Sequence, residues 1–96
     1  RKAIRTDLYT RLPDGRSILY ETKAQASKVL DLAQLAMYAL IAAEDRLDLD
    51  ELVLVAKCHG SNVQCFAQML SHRWFRDLPV PKIRLLTWSE VENGAN

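Results

Sequence analysis

The sequence predicts an α/β fold, a mixed β-sheet flanked by helices in the order β-β-α-β-α-β. Three observations predict it. Two stretches of alternating character, residues 3–11 and 17–24, flank Leu12-Pro13-Asp14-Gly15-Arg16, whose proline, aspartate and glycine are the chemistry of a tight reversal. Residues 32–43 are nearly all apolar and long enough for a helix. Residues 52–56, Leu-Val-Leu-Val-Ala, form a short continuous apolar run of the kind that suits a strand buried on both faces.

The elements follow in order. In the first strand, residues 3–11, Ile4, Thr6 and Leu8 share one face and Arg5, Asp7 and Tyr9 the other, because successive side chains alternate. In the second, residues 17–24, Leu19, Glu21 and Lys23 alternate with Ile18, Tyr20 and Thr22. An antiparallel hairpin of the two brings Asp7 beside Glu21. Residues 24–28 connect to a helix that Ser27 or Asp31 is placed to cap and that ends near Arg46. Its ring of Leu32, Leu35, Met37, Leu40 and Ile41 implies cover on several sides. A Gln34 amide buried under such cover needs partners, since leaving it unpaired costs about 1–3 kcal/mol. Residues 45–51 are a polar loop before the central strand. Cys58-His59-Gly60-Ser61-Asn62 turns the chain, with Ser61 or Asn62 as cap. Val63, Phe66, Ala67, Leu70, Trp74 and Leu78 then recur at helical spacing, although Val63, Cys65, Ala67 and Met69 also alternate as a strand would. Pro79 and Pro81 close that element, residues 82–88 read as the last strand, parallel to the central one through a right-handed crossover, and residues 89–96 read as a tail.

The same pattern collects chemistry. Glu21 and Lys23 stand two apart on one face of a strand, and Gln34 and Tyr38 stand four apart on one face of a helix, so Asp7, Glu21, Lys23, Gln34 and Tyr38 could meet in one place. Taken singly, each has a plainer reading: a solvated strand aspartate, a surface ion pair worth less than about 1 kcal/mol, a structural amide, a core aromatic with its hydroxyl satisfied.

Asp7-x13-Glu21-x-Lys23 on a hairpin, followed by a helix carrying Gln34-x3-Tyr38, resembles the PD-(D/E)XK nuclease superfamily, and the Q-x3-Y element resembles its RecB-like branch. The motif-bearing part spans residues 4–43, and the order of elements extends the likeness to about residue 88. The resemblance implies a restriction-endonuclease-like core and an Mg²⁺- or Mn²⁺-dependent deoxyribonuclease, a hydrolase of DNA phosphodiester bonds. It further implies that Asp7, Glu21 and the Thr22 carbonyl bind metal and that Lys23 orients or activates the attacking water. Gln34 and Tyr38 are implied to support the site or touch the nucleic-acid backbone. Such a donor set is chemically coherent, because hard cations favour carboxylate and carbonyl oxygens and assist hydrolysis by shielding the phosphate and activating water. Two features depart from the family. Ile4-Arg5-Thr6 stands where a glycine often opens the first motif, and only Arg1 to Ala3 precede the first strand, where many members carry a helix with another acidic residue. The start at Arg1, without a methionine, suggests a fragment of a longer polypeptide; either the fragment lacks this helix, or the site works with fewer ligands, or catalysis has been lost.

Composition bounds the alternatives. Ninety-six residues, 49% apolar and 26% charged, fit a single ordinary globular domain, residues 1–96. No apolar run is long enough to cross a bilayer and no signal-peptide pattern opens the chain, so a soluble, cytoplasmic protein is expected. Cys58 and Cys65 make no disulfide framework and are expected reduced. With Cys58, His59, Cys65 and His72 lacking paired zinc spacing, a structural zinc site is not supported. Thirteen basic and twelve acidic residues leave a net charge of +1, so nucleic-acid binding would need a local patch such as Arg1, Lys2, Arg5, Arg11 and Arg16, or His72, Arg73 and Arg76. Two other readings stay open: a catalytically inactive nuclease-like domain that holds nucleic acid through Arg5, Arg11 and Arg16, and an assembly module whose apolar helix and Trp74/Phe75 edge meet another chain, as in a homo-oligomer or a larger nuclease polypeptide.

Overall fold

The computed structural model describes residues 8–47, 49–71 and 81–94. Strand β1 (Leu8–Arg11) and strand β2 (Ser17–Thr22) form the expected antiparallel hairpin, with register from Arg11↔Ser17 to Leu8↔Tyr20. Its turn works through local bonds. The Leu12 N–H donates to the Arg16 carbonyl at 2.8 Å, the Gly15 N–H to the Leu12 carbonyl at 2.9 Å, and the Arg16 N–H to Asp14 Oδ1 at 3.0 Å. Gly15 sits at φ 94°, a left-handed conformation that glycine enters without a Cβ penalty. The residues expected to extend the first strand, Ala3 to Asp7, lie outside the described residues.

Helix α1 (Val29–Glu44) carries the chain across to strand β3 (Glu51–Ala56), which pairs parallel with β2; a parallel neighbour requires such a crossover. Helix α2 (Ser61–Met69) leads onward to strand β4 (Lys82–Thr87), parallel to β3. The sheet order is β1-β2-β3-β4. Every residue of β3 is buried, as its apolar run implied.

The sheet's two faces build two cores. Leu19, Leu52 and Leu54 point to the side covered by α1 and α2, where they meet Leu32, Leu35, Val63 and Leu70. Ile18, Val53, Val55 and Leu86 point the other way and pack with Leu12, Tyr20 and Val91. Since Glu21 and Lys23 alternate in step with Leu19, they belong to the α1 side.

Four details differ from the sequence reading. The N-cap of α1 is Lys28, and Asp31 sits one turn inside and accepts the Lys28 N–H through Oδ2 at 2.8 Å; Ser27 serves elsewhere. The N-cap of α2 is Gly60, while the Asn62 side chain accepts the Val63 N–H. Cover on α1 is one-sided: Leu30, Met37, Leu40 and Ile41 are exposed, and so is Gln34, whose amide can reach water instead of needing a buried partner. The supposed tail begins with helix α3 (Trp88–Glu92), because Thr87 Oγ1 accepts the Glu90 N–H and Glu90 Oε1 accepts the Thr87 N–H, a reciprocal cap that starts a helix directly at the strand's end. The choice between helix and strand after Asn62 falls to the helix, whose Val63, Ala67 and Leu70 are buried at i, i+4 and i+7.

Candidate functional site

Glu21 is the penultimate residue of β2, and its side chain is almost entirely enclosed. One residue beyond the strand, Lys23 continues the parallel pairing by donating its backbone N–H to the Val55 carbonyl at 2.8 Å. Its own carbonyl accepts the Trp88 indole Nε1–H at 2.7 Å. The backbone under the lysine is thus held by β3 on one side and by the first residue of α3 on the other.

The ammonium group lies between two carboxylates. Lys23 Nζ is 3.7 Å from Glu21 Oε2 and 3.4 Å from Asp31 Oδ1. Both separations exceed the roughly 2.7–2.9 Å of a closed charge-assisted hydrogen bond, so the cation is shared electrostatically. Asp31 divides its two oxygens between the first turn of α1 and this lysine.

The other predicted members are distributed around this pair. Thr22 ends β2 opposite Val55 and is half-buried. Gln34 lies one turn beyond Asp31 on α1, exposed, and Tyr38 follows a turn later, half-buried against the core. Asp31, Gln34 and Tyr38 therefore form an i, i+3, i+7 stripe that runs outward from the lysine. Asp7 lies outside the described residues, as do Arg5, His72, Arg73, Trp74, Phe75 and Arg76. Among the described residues no three His, Cys, Asp or Glu side chains cluster closely enough to hold a metal ion. Glu21 and the Thr22 carbonyl fit a hard cation in donor chemistry, as an incomplete shell.

Asp31 and Trp88 are the site residues that sequence reasoning missed. The signal for Asp31 was present, an acid in the first helical turn shortly after the Glu21-x-Lys23 pair, but its charge was assigned wholly to capping. Trp88 had no signal, because it joins Lys23 only when β4 lies at its observed place in the sheet.

A second polar cluster braces the connector. His59 Nε2 is 2.7 Å from the Leu86 carbonyl, which can only accept, so Nε2 carries a proton; Nδ1 is 2.7 Å from the Ser27 hydroxyl, which donates to it when the ring is neutral. The Ser27 N–H also donates to the Cys58 carbonyl at 3.1 Å. Residues 24–28, which lead from the lysine to α1, are pinned in this way to the loop after β3. Cys58 and Cys65 are free, exposed thiols. Arg16 is engaged in structure, with Nε 3.0 Å from Asp14 Oδ2 and Nη1 3.0 Å from Glu51 Oε2; Arg84 takes the other oxygen of Glu51 at 3.3 Å.

No protein-family model and no curated protein matches the chain. Among solved structures, the chain is similar to EndoMS in its apo form, with a TM-score of 0.63 and 19% identity over 82% of this chain. The likeness is one of fold. The chain spans 30% of the EndoMS chain.

Proposed function

We propose that this chain is a metal-dependent nuclease domain of the PD-(D/E)XK type, of the RecB-like branch, which hydrolyses DNA phosphodiester bonds with Mg²⁺ or Mn²⁺. The observation that carries the reading is the enclosed Glu21 carboxylate with the Lys23 ammonium 3.7 Å away, at the end of a strand in a fold similar to that of EndoMS. Glu21, the Thr22 carbonyl and Asp7 would hold the cation, which supplies Lewis acidity and charge shielding when bound. Asp7 enters this set through the Asp7-x13-Glu21-x-Lys23 pattern of the sequence. Lys23 Nζ donates hydrogen bonds to the attacking water and to a phosphate oxygen, orienting the one toward the other. The exposed Gln34 amide donates to the nucleic-acid backbone, and Tyr38 supports the helix face beneath it.

The test is nicking of supercoiled DNA by the purified chain. With Mg²⁺ or Mn²⁺ the protein nicks the substrate, and chelation stops it. Glu21→Gln and Lys23→Ala each lower the rate by at least about 100-fold, in the range found for groups that act directly on the reacting atoms. Equal rates for both variants and the unaltered chain would remove the pair from the chemistry.

A further inference from the structure

We propose that Asp31 is a positioning residue for Lys23, holding the ammonium against the start of α1 so that it keeps its place when the Glu21 carboxylate turns to another cation. The inference rests on the nuclease reading for its activity arm alone. A lysine side chain has four rotatable bonds and a single charged tip, and the backbone bonds that fix residue 23 to Val55 and Trp88 leave that tip undirected. Two carboxylates of the described residues contribute direction. Glu21 Oε2, at 3.7 Å, is the more distant, and it belongs to the residue proposed to hold metal; Asp31 Oδ1, at 3.4 Å, is the nearer.

Asp31 is suited to this task by its other oxygen. Oδ2 accepts the Lys28 N–H at 2.8 Å, so the carboxylate is set by the helix start before any lysine meets it, and it is buried. A carboxylate anchored in that way keeps Oδ1 aimed at the ammonium. When a cation engages Glu21, Lys23 retains a negatively charged neighbour, and the water it orients stays at the carboxylate end of the site.

Asp31→Asn separates the two roles, since its amide oxygen can still accept the Lys28 N–H while the charge is gone; Asp31→Ser, which also offers a helix-start acceptor, serves if the first variant melts early. In the metal-free, DNA-free chain, ¹³C relaxation at Lys23 Cε is expected to report a lower order parameter in Asp31→Asn, with the melting temperature nearly unchanged. Single-turnover DNA cleavage is expected to fall by about 10- to 100-fold, with DNA affinity changed less than about twofold, as for a displaced catalytic group. In a Lys23→Ala background the same substitution adds no further loss. An unchanged Lys23 order parameter overturns the proposal, as does an equal loss of cleavage in the Lys23→Ala background. If the unaltered chain cleaves no DNA, the nuclease reading fails, and the relaxation result alone decides whether Asp31 positions Lys23.

Discussion

Arg46 shows how a single residue can be held in a conformation its own chemistry resists. It follows the end of α1 at φ 62°, the left-handed region in which a Cβ crowds the following carbonyl oxygen. The reason is the pair of bonds that close the helix: the Leu47 N–H reaches the Ala42 carbonyl at 2.8 Å and the Arg46 N–H reaches Ala43 at 3.0 Å. This is the pattern in which glycine is the usual occupant. Arg46→Gly should therefore stabilise the chain by about 0.5–1 kcal/mol, the left-handed cost removed less the added freedom of the unfolded chain. Urea unfolding checks it, and a loss of stability would mean that the arginine side chain contributes more than its backbone strain costs. Lys23 is governed by similar logic at the site, where its backbone is fixed by partners from β3 and α3 and its side chain by a carboxylate from α1.

Among the elements, α3 owes its start to an ionised carboxylate, so its cap should respond to acid. Glu90 is exposed, and its carboxyl is held below its ordinary value of 4.5, chiefly by the Thr87 backbone N–H and then by the Thr87 hydroxyl. A carboxylate depressed in the folded state stabilises above its unfolded value, and that contribution is lost as the pH falls through the depressed folded one. The cap of α3 is thus intact at neutral pH and loosens below about 4.5. Because Trp88 opens this helix and its indole reaches the Lys23 carbonyl, the Trp88 indole N–H resonance should shift over that interval. In Glu90→Gln the shift should disappear, and an unchanged titration would assign it to another carboxylate. This helix was not legible beforehand: Thr87-Trp88-Ser89-Glu90 has the spacing of a reciprocal cap, but the strand pattern before it masked the signal, and the short apolar content after it gave no helical periodicity. The strands, the hairpin and both longer helices were legible, because alternation, turn chemistry and i, i+3, i+4 spacing each act locally. What periodicity could not tell was how many sides of α1 would be covered, since that depends on which elements lie over it. Leu30, Met37, Leu40 and Ile41 are exposed for that reason.

At the scale of the whole molecule, the legible part of the site is the part carried on one strand. Glu21 and Lys23 could be placed on a common face from alternation alone, and Leu19 in the core on the α1 side agrees. Asp31 and Trp88 reach Lys23 from elements 8 and 65 residues further along the chain, so their arrival depends on tertiary packing. Charge is likewise a property of the whole. The chain carries a net +1, and two of its arginines, Arg16 and Arg84, share the Glu51 carboxylate. No broad positive field can then draw in a polyanion, and DNA must be held by a few local contacts. If about three phosphates are neutralised, the logarithm of the binding constant should fall against the logarithm of salt with a slope of about −2.7, a weakening of roughly 40-fold between 50 and 200 mM. Titration in metal-free buffer, where the proposed chemistry is silent, measures that slope directly. A weakening of about 10³-fold or more over the same interval would require six or more phosphate contacts and a concentrated basic surface. That outcome would shift the functional weight from the Glu21–Lys23 pair to binding, and it would favour the reading in which the fold holds nucleic acid without cutting it.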